Sequence, residues 1–179
     1  MSYERQKAEI ATIKKRTVTI ELSDADCDRI TDLCGRHNIS VSYLIESFIG
    51  DLVNGTYTNG SDERDYARSY FERCWFGMFP EKSLLNFLLS NGYDVYDDLI
   101  SYVDDIEYGR AELSGYLKSP QLYTEEIKIL TGEIEFWEYG VNSIKFLYLH
   151  ENPKADWDEE YKKVVEWYEE KERLRSSAE

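Results

Sequence analysis

The chain of 179 residues has only three cysteines, three prolines, two histidines and two methionines, and each shortage removes a class of protein. Cys27, Cys34 and Cys74 fall at no metal-ligand spacing, and so few thiols do not make a disulfide scaffold. Cys27 and Cys34, seven apart, read as small core hydrophobes. His37 and His150 belong to no zinc or nucleophile motif. No P-loop or dinucleotide glycine pattern occurs, so neither an enzyme nor a cofactor is expected. No apolar run approaches the roughly eighteen residues of a membrane span, and Met1-Ser2-Tyr3-Glu4-Arg5 opens no signal peptide. The expectation is a cytoplasmic protein without membrane contact.

What is present is apolar enough to fold and strongly acidic. The apolar fraction is 42%, aromatics alone make 15%, and the formal charge is −15, a combination too rich in core-forming residues for a disordered chain. The charge is uneven. Arg5, Lys7, Lys14, Lys15 and Arg16 outnumber Glu4 and Glu9 in residues 1–20, whereas residues 51–179 carry 28 acidic and 14 basic side chains. A nucleic-acid binder displays a basic surface, because neutralised phosphates supply most of its non-specific affinity. Only the N-terminal arm offers one.

Residues 14–55 have the clearest local pattern. In Lys14-Lys15-Arg16-Thr17-Val18-Thr19-Ile20-Glu21-Leu22, the apolar Val18, Ile20 and Leu22 alternate with Thr17, Thr19 and Glu21, the period of a half-buried strand. Ser23 reads as an N-cap, with Asp24, Asp26 and Asp28 at the positive end of the helix that follows. Cys27, Ile30, Leu33 and Cys34 form its apolar stripe, and Asn38 ends it in a left-handed or turn conformation. Ser40 caps a second helix through Leu44, Ile45, Phe48 and Leu52 to Asn54-Gly55.

This strand-helix-helix order resembles the ribbon-helix-helix family, the Arc- and MetJ-like DNA-binding domains. The resemblance implies a homodimer whose paired strands enter the major groove of double-stranded DNA. The outward Thr17, Thr19 and Glu21 would meet base edges there, Lys14, Lys15 and Arg16 would meet phosphates, and Ser40 and Ser42 would clamp a phosphate at the second helix. It implies a shared dimer core of Val18, Ile20, Leu22, Ile30, Leu33, Leu44, Ile45 and Phe48. Glu21 departs from the family pattern, since a carboxylate accepts from cytosine N4 but repels phosphates.

Residues 1–13 read as a flexible arm and residues 56–61, Thr-Tyr-Thr-Asn-Gly-Ser, as a linker. Residues 62–175 read as an acidic bundle of four to five helices, and residues 176–179 as a disordered tail. The fold expected is mainly α, with an N-terminal ribbon-helix-helix unit. Within the bundle, a helix at Tyr93–Tyr108 has Val95, Leu99, Tyr102, Val103 and Ile106 on its packing stripe, with Asp94, Asp97, Asp98, Asp104, Asp105 and Glu107 over much of the rest, and Gly109 and Gly115 punctuate a short turn of helix around Ala111-Glu112-Leu113 after it. Interleaved tyrosines make that face suited to arginines and lysines of a basic protein partner. Clustered carboxylates also suit a hard divalent ion, but no calcium-loop spacing occurs. Gly132 and Gly140 lie inside a long helix at Thr124–His150, where a close crossing or a bend would account for them.

Three functions fit these observations. The first is a dimeric DNA-binding transcriptional regulator or accessory factor of a mobile element, with the acidic helices binding a partner. The second is an acidic inhibitor or adaptor that occupies the basic nucleic-acid channel of a host nuclease or defence enzyme. The third is a non-catalytic helical dimerisation protein.

Overall fold

Helix starts follow from the caps. The hydroxyl of Ser23 accepts the N–H of Asp26 at 3.2 Å, that of Ser40 the N–H of Tyr43 at 3.0 Å, and that of Ser83 the N–H of Asn86 at 3.2 Å. Each serves a donor of the first helical turn, for which a regular helix supplies no acceptor; the Asp26 N–H also reaches the Ser23 carbonyl at 3.0 Å. Asp156 does the same with its carboxylate for Asp158 and Glu159. Stops follow from left-handed residues: Asn38 and Asn54 take φ of 53° and 52° after the first two capped helices.

The computed structural model describes residues 3–92 and 95–176. Among them the secondary structure is all helical: α1 Tyr3–Ala11, α2 Asp24–Arg36, α3 Val41–Leu52, α4 Ser61–Arg73, α5 Trp75–Met78, α6 Leu84–Asn91, α7 Val95–Tyr116, α8 Thr124–Glu151 and α9 Trp157–Ser176. The chain divides into two compact units, residues 1–80 with 172–179, and residues 81–171.

In the first unit α2 packs on α3, α3 on α4, and α4 on α5. Asp51, at the end of α3, is buried and accepts both the backbone N–H and the side-chain amide of Asn59 at 2.8 Å. That pair of bonds folds the Asn54–Gly60 turn back onto its own helix. Cys34 is buried, whereas Cys27 is exposed.

The ribbon-helix-helix expectation fails here. Residues 13–23 form neither strand nor helix, and no strand occurs among the described residues. Val18, Ile20 and Leu22 are each at least half exposed. An alternating sequence specifies a strand only where an edge can pair with it, and the described chain offers none. The resemblance to the family is therefore corrected to an all-α fold in which only the two capped helices of that pattern are present. With the strand goes the homodimer that was to be built through it and the DNA-reading ribbon.

The second unit is centred on Leu84 and Leu88 of α6, Tyr96 and Leu99 of α7, Tyr148 of α8 and Val164 of α9. Helix α7 runs through Gly109 instead of stopping there. Gly109 is buried where a Cβ would lie 3.1 Å from both Ile134 and Trp137, so a glycine read as a breaker is a contact point between α7 and α8. Gly140 is the reciprocal contact, its missing Cβ lying 2.6 Å from the ring of Tyr102. Gly132 has open space around it. The expected close crossing thus falls at Gly140.

Candidate functional site

The carboxylates singled out by sequence lie on α7. Spacings of three and four bring Asp97, Ser101, Asp104, Asp105, Tyr108 and Glu112 onto one side of the helix. Asp97, Asp98, Asp104 and Glu107 are exposed and Asp105 is half-buried, its carboxylate accepting the Ser101 hydroxyl at 3.4 Å. Asp94 lies outside the described residues. The helix holds six carboxylates against Arg110, and Arg110 is engaged with Glu138 of α8 at 2.6 Å. No ion pair to Asp97, Asp98, Asp104, Asp105 or Glu107 occurs among the described residues.

A neighbouring group registers their charge. Tyr161 of α9 has its hydroxyl pushed up to about 12, first by burial and then by the charges of Asp104 and Glu107. Both effects oppose formation of a phenolate. Glu112 extends the acidic face beyond the residues expected from sequence, and the neutral Tyr161 lies in its field. Glu112 was legible from the same spacing; Tyr161 was not, because only packing brings α9 beside α7.

The tyrosines do not all serve the surface. Tyr96 is buried, edge-on to Trp167 with ring centroids 5.1 Å apart, and the Lys171 ammonium lies 4.2 Å from its ring centroid and donates to its hydroxyl. Tyr102 is half-buried against Gly140, and Tyr108 alone of these three stands in the open. Tyr93 lies outside the described residues.

The same unit holds a second charged constellation that sequence did not single out. Glu160 of α9 is buried, and its Oε2 accepts the N–H of Leu84 at 2.7 Å and the hydroxyl of Tyr148 at 3.2 Å. Its Oε1 accepts from the Lys163 ammonium at 2.5 Å, and Lys163 also lies 3.5 Å from Glu81. Burial pushes the Glu160 carboxyl upward, but Lys163, the Leu84 N–H and the Tyr148 hydroxyl together outweigh it and hold the group below its ordinary range. Burial and the Glu160 charge push Tyr148 up to about 12. The carboxylate thereby anchors the first turn of α6 to α8 and α9.

The residues expected to touch DNA are dispersed. Lys14 donates to the Ser176 carbonyl at 3.3 Å and Arg16 to the Arg175 carbonyl, where the terminal carbonyls of a helix favour cations. Lys15, Thr17, Thr19, Glu21 and Ser42 are exposed in the same unit, and Ser40 is occupied as the cap of α3. Of the residues expected in a dimer core, Ile30 and Leu44 are half-buried, while Leu33, Ile45 and Phe48 are exposed. Phe48 meets Tyr70 edge-on at 5.8 Å.

Among the described residues no three histidine, cysteine, aspartate or glutamate side chains converge as metal ligands would, and no helix is long and apolar enough to cross a membrane. Comparison with protein-family models, with curated proteins and with solved structures gave no match.

Proposed function

We propose that this chain is a non-catalytic binding protein that sets an acidic helical face against a basic surface of a protein partner, of the kind with which nucleic-acid enzymes hold phosphates. The observation that carries this is the face of α7, where Asp97, Asp98, Asp104 and Asp105 have no cationic partner among the described residues. Its setting supports the reading: residues 81–171 hold 21 acidic and nine basic side chains, a net −12 of the total −15. Carboxylates at helical spacing can accept bidentate hydrogen bonds from arginines, and Tyr108 adds apolar area among them. A field of this sign speeds encounter with a cationic surface and repels nucleic acid.

The test is affinity capture from host lysate with the wild-type chain and with Asp97, Asp98, Asp104 and Asp105 all changed to lysine, across a salt series. The wild type is expected to retain basic proteins at low salt and release them as ionic strength rises through the range where the Debye length falls below about 10 Å. The reversed protein is expected to lose them. An identical partner set for both proteins, both shown folded by circular dichroism, would exclude this face as the binding surface.

A further inference from the structure

The Asn54–Gly60 turn contains one reactive dipeptide twice. Val53-Asn54-Gly55 and Thr58-Asn59-Gly60 each place an asparagine after a β-branched residue and before a glycine. Such a dipeptide converts without an enzyme. The glycine backbone nitrogen loses its proton to solvent and attacks the asparagine Cγ, ammonia leaves, and the cyclic imide so formed takes up one water to open as aspartate or isoaspartate. Glycine favours the ring because it has no side chain to crowd the approach. On local sequence the two sites are equivalent.

The fold separates them. At the first, the nucleophile is engaged: the Gly55 N–H donates to the Gly50 carbonyl at 2.8 Å. That bond lies in a tightly closed part of the turn, where a Cβ on Gly50 would meet the Tyr57 carbonyl oxygen at 2.5 Å. At the second, Gly60 is extended, with φ 167° and ψ −176°, and its N–H has no acceptor among the described residues. The side chains are otherwise matched. Both asparagines are exposed, and each amide is held by one charged group, Asn54 by Arg64 at 2.7 Å and Asn59 by Asp51 at 2.8 Å. The free Gly60 nitrogen is what distinguishes the second site.

We propose that Asn59 is the site of spontaneous deamidation in this chain, and that its conversion opens the Asn54–Gly60 turn irreversibly. Asp51 is buried, and both of its oxygens accept from Asn59, one from the backbone N–H and one from the amide. Conversion to aspartate removes the amide donor and sets a second carboxylate against the first. Two like charges in contact, one of them buried, disfavour the closed turn. Isoaspartate adds a backbone carbon between residues 59 and 60 and displaces the carboxylate further from its place. Conversion of Asn54 has the opposite sense, because a carboxylate there strengthens the bond to the Arg64 guanidinium. Ammonia is lost in the reaction, so the opening runs one way. This site lies in the first unit and is independent of the acidic face of α7.

Peptide mass spectrometry of the full chain, incubated folded in mildly alkaline buffer, reads the order of conversion, and a sample in urea gives the rates without structure. In urea the two asparagines are expected to convert alike. In the folded chain Asn54 is expected to lag Asn59 by about fivefold to tenfold, the effect of having to break the Gly55 hydrogen bond. This order needs no variant. The opening is read with Asn59→Asp, which is expected to keep the wild-type circular dichroism while chymotrypsin cuts faster at Tyr57; Asn54→Asp is expected to resist as the wild type does. Folded conversion of Asn54 as fast as that of Asn59, no conversion at Asn59 while the urea sample converts, or equal cutting of Asn59→Asp and the wild type would each overturn the proposal.

Discussion

Replacing Glu160 probes the centre of the second unit most directly. In Glu160→Ala, the Leu84 N–H and the Tyr148 hydroxyl lose their shared acceptor in a place where Leu84 and Tyr148 are almost wholly buried. An unsatisfied buried donor costs about 1–3 kcal/mol. Lys163 adds little, because its side chain is half exposed and regains water or Glu81. The Tyr148 hydroxyl can turn to the Lys82 carbonyl, 3.4 Å away, so the expected loss is mainly that of the Leu84 donor, about 2 kcal/mol, equivalent to a fall of about 4–8 °C in melting temperature for a chain of this size. Both buried donors point to Oε2, so the carbonyl oxygen of glutamine can serve them. Glu160→Gln should therefore cost only about 1 kcal/mol, the difference between a charged and a neutral acceptor. The pH dependence separates these two terms. Because the folded state lowers the Glu160 pKa, its charge stabilises fully above the ordinary value of 4.5 and the contribution fades as pH falls below it. The gap between wild type and Glu160→Gln should then be present at pH 7 and close in acid. Urea unfolding followed by tryptophan fluorescence reports on this unit, since Trp137, Trp157 and Trp167 lie within it and Trp75 does not. An alanine variant within about 0.5 kcal/mol of wild type, as at an ordinary surface site, or equal losses for alanine and glutamine, would refute the anchor.

Tyr148 and Tyr161, both raised to about 12 from 10.0, keep their protons longer folded than unfolded. The stability these two contribute should be complete below pH 10 and decline as pH rises from 10 to 12, and phenolate absorbance should show at least these two of the fifteen tyrosines ionising late; a single class near 10 would be inconsistent with this. Gly140→Ala should destabilise by about 1–3 kcal/mol because the Tyr102 ring must move, whereas Gly132→Ala, with open space around it, should gain up to about 1 kcal/mol from helix propensity; thermal melts that rank them the other way would oppose the crossing geometry. Asp51→Ala should free the Asn54–Gly60 turn at a cost of about 1–3 kcal/mol, and chymotrypsin should cut at the exposed Tyr57 faster than in the wild type.

Helices and their boundaries were largely legible because their causes are local. A serine hydroxyl reaches a backbone N–H three residues on, as at Ser23 and Ser40, and an asparagine accepts a left-handed φ, as at Asn38. Residues 17–22 were misread because alternation is a local pattern whereas a strand is a non-local fact; it needs a second backbone to bond. Gly109 was misread as a break for a related reason, since local propensity counts its cost and not the room it gives Ile134 and Trp137. The acidic face of α7 was legible as spacing, but the role of its tyrosines was not, because period alone does not say which side of a helix the core will claim.

By itself the sequence determined most helices and their caps and the concentration of negative charge in residues 51–179. Tertiary structure alone decided that residues 17–22 make no strand, that Glu160 lies buried among three donors, and that Tyr161 sits in the field of Asp104 and Glu107. The physical reason is range: capping and helix propensity act within a few residues, whereas burial, pairing and desolvation depend on segments tens of residues apart, which meet only when the chain is folded.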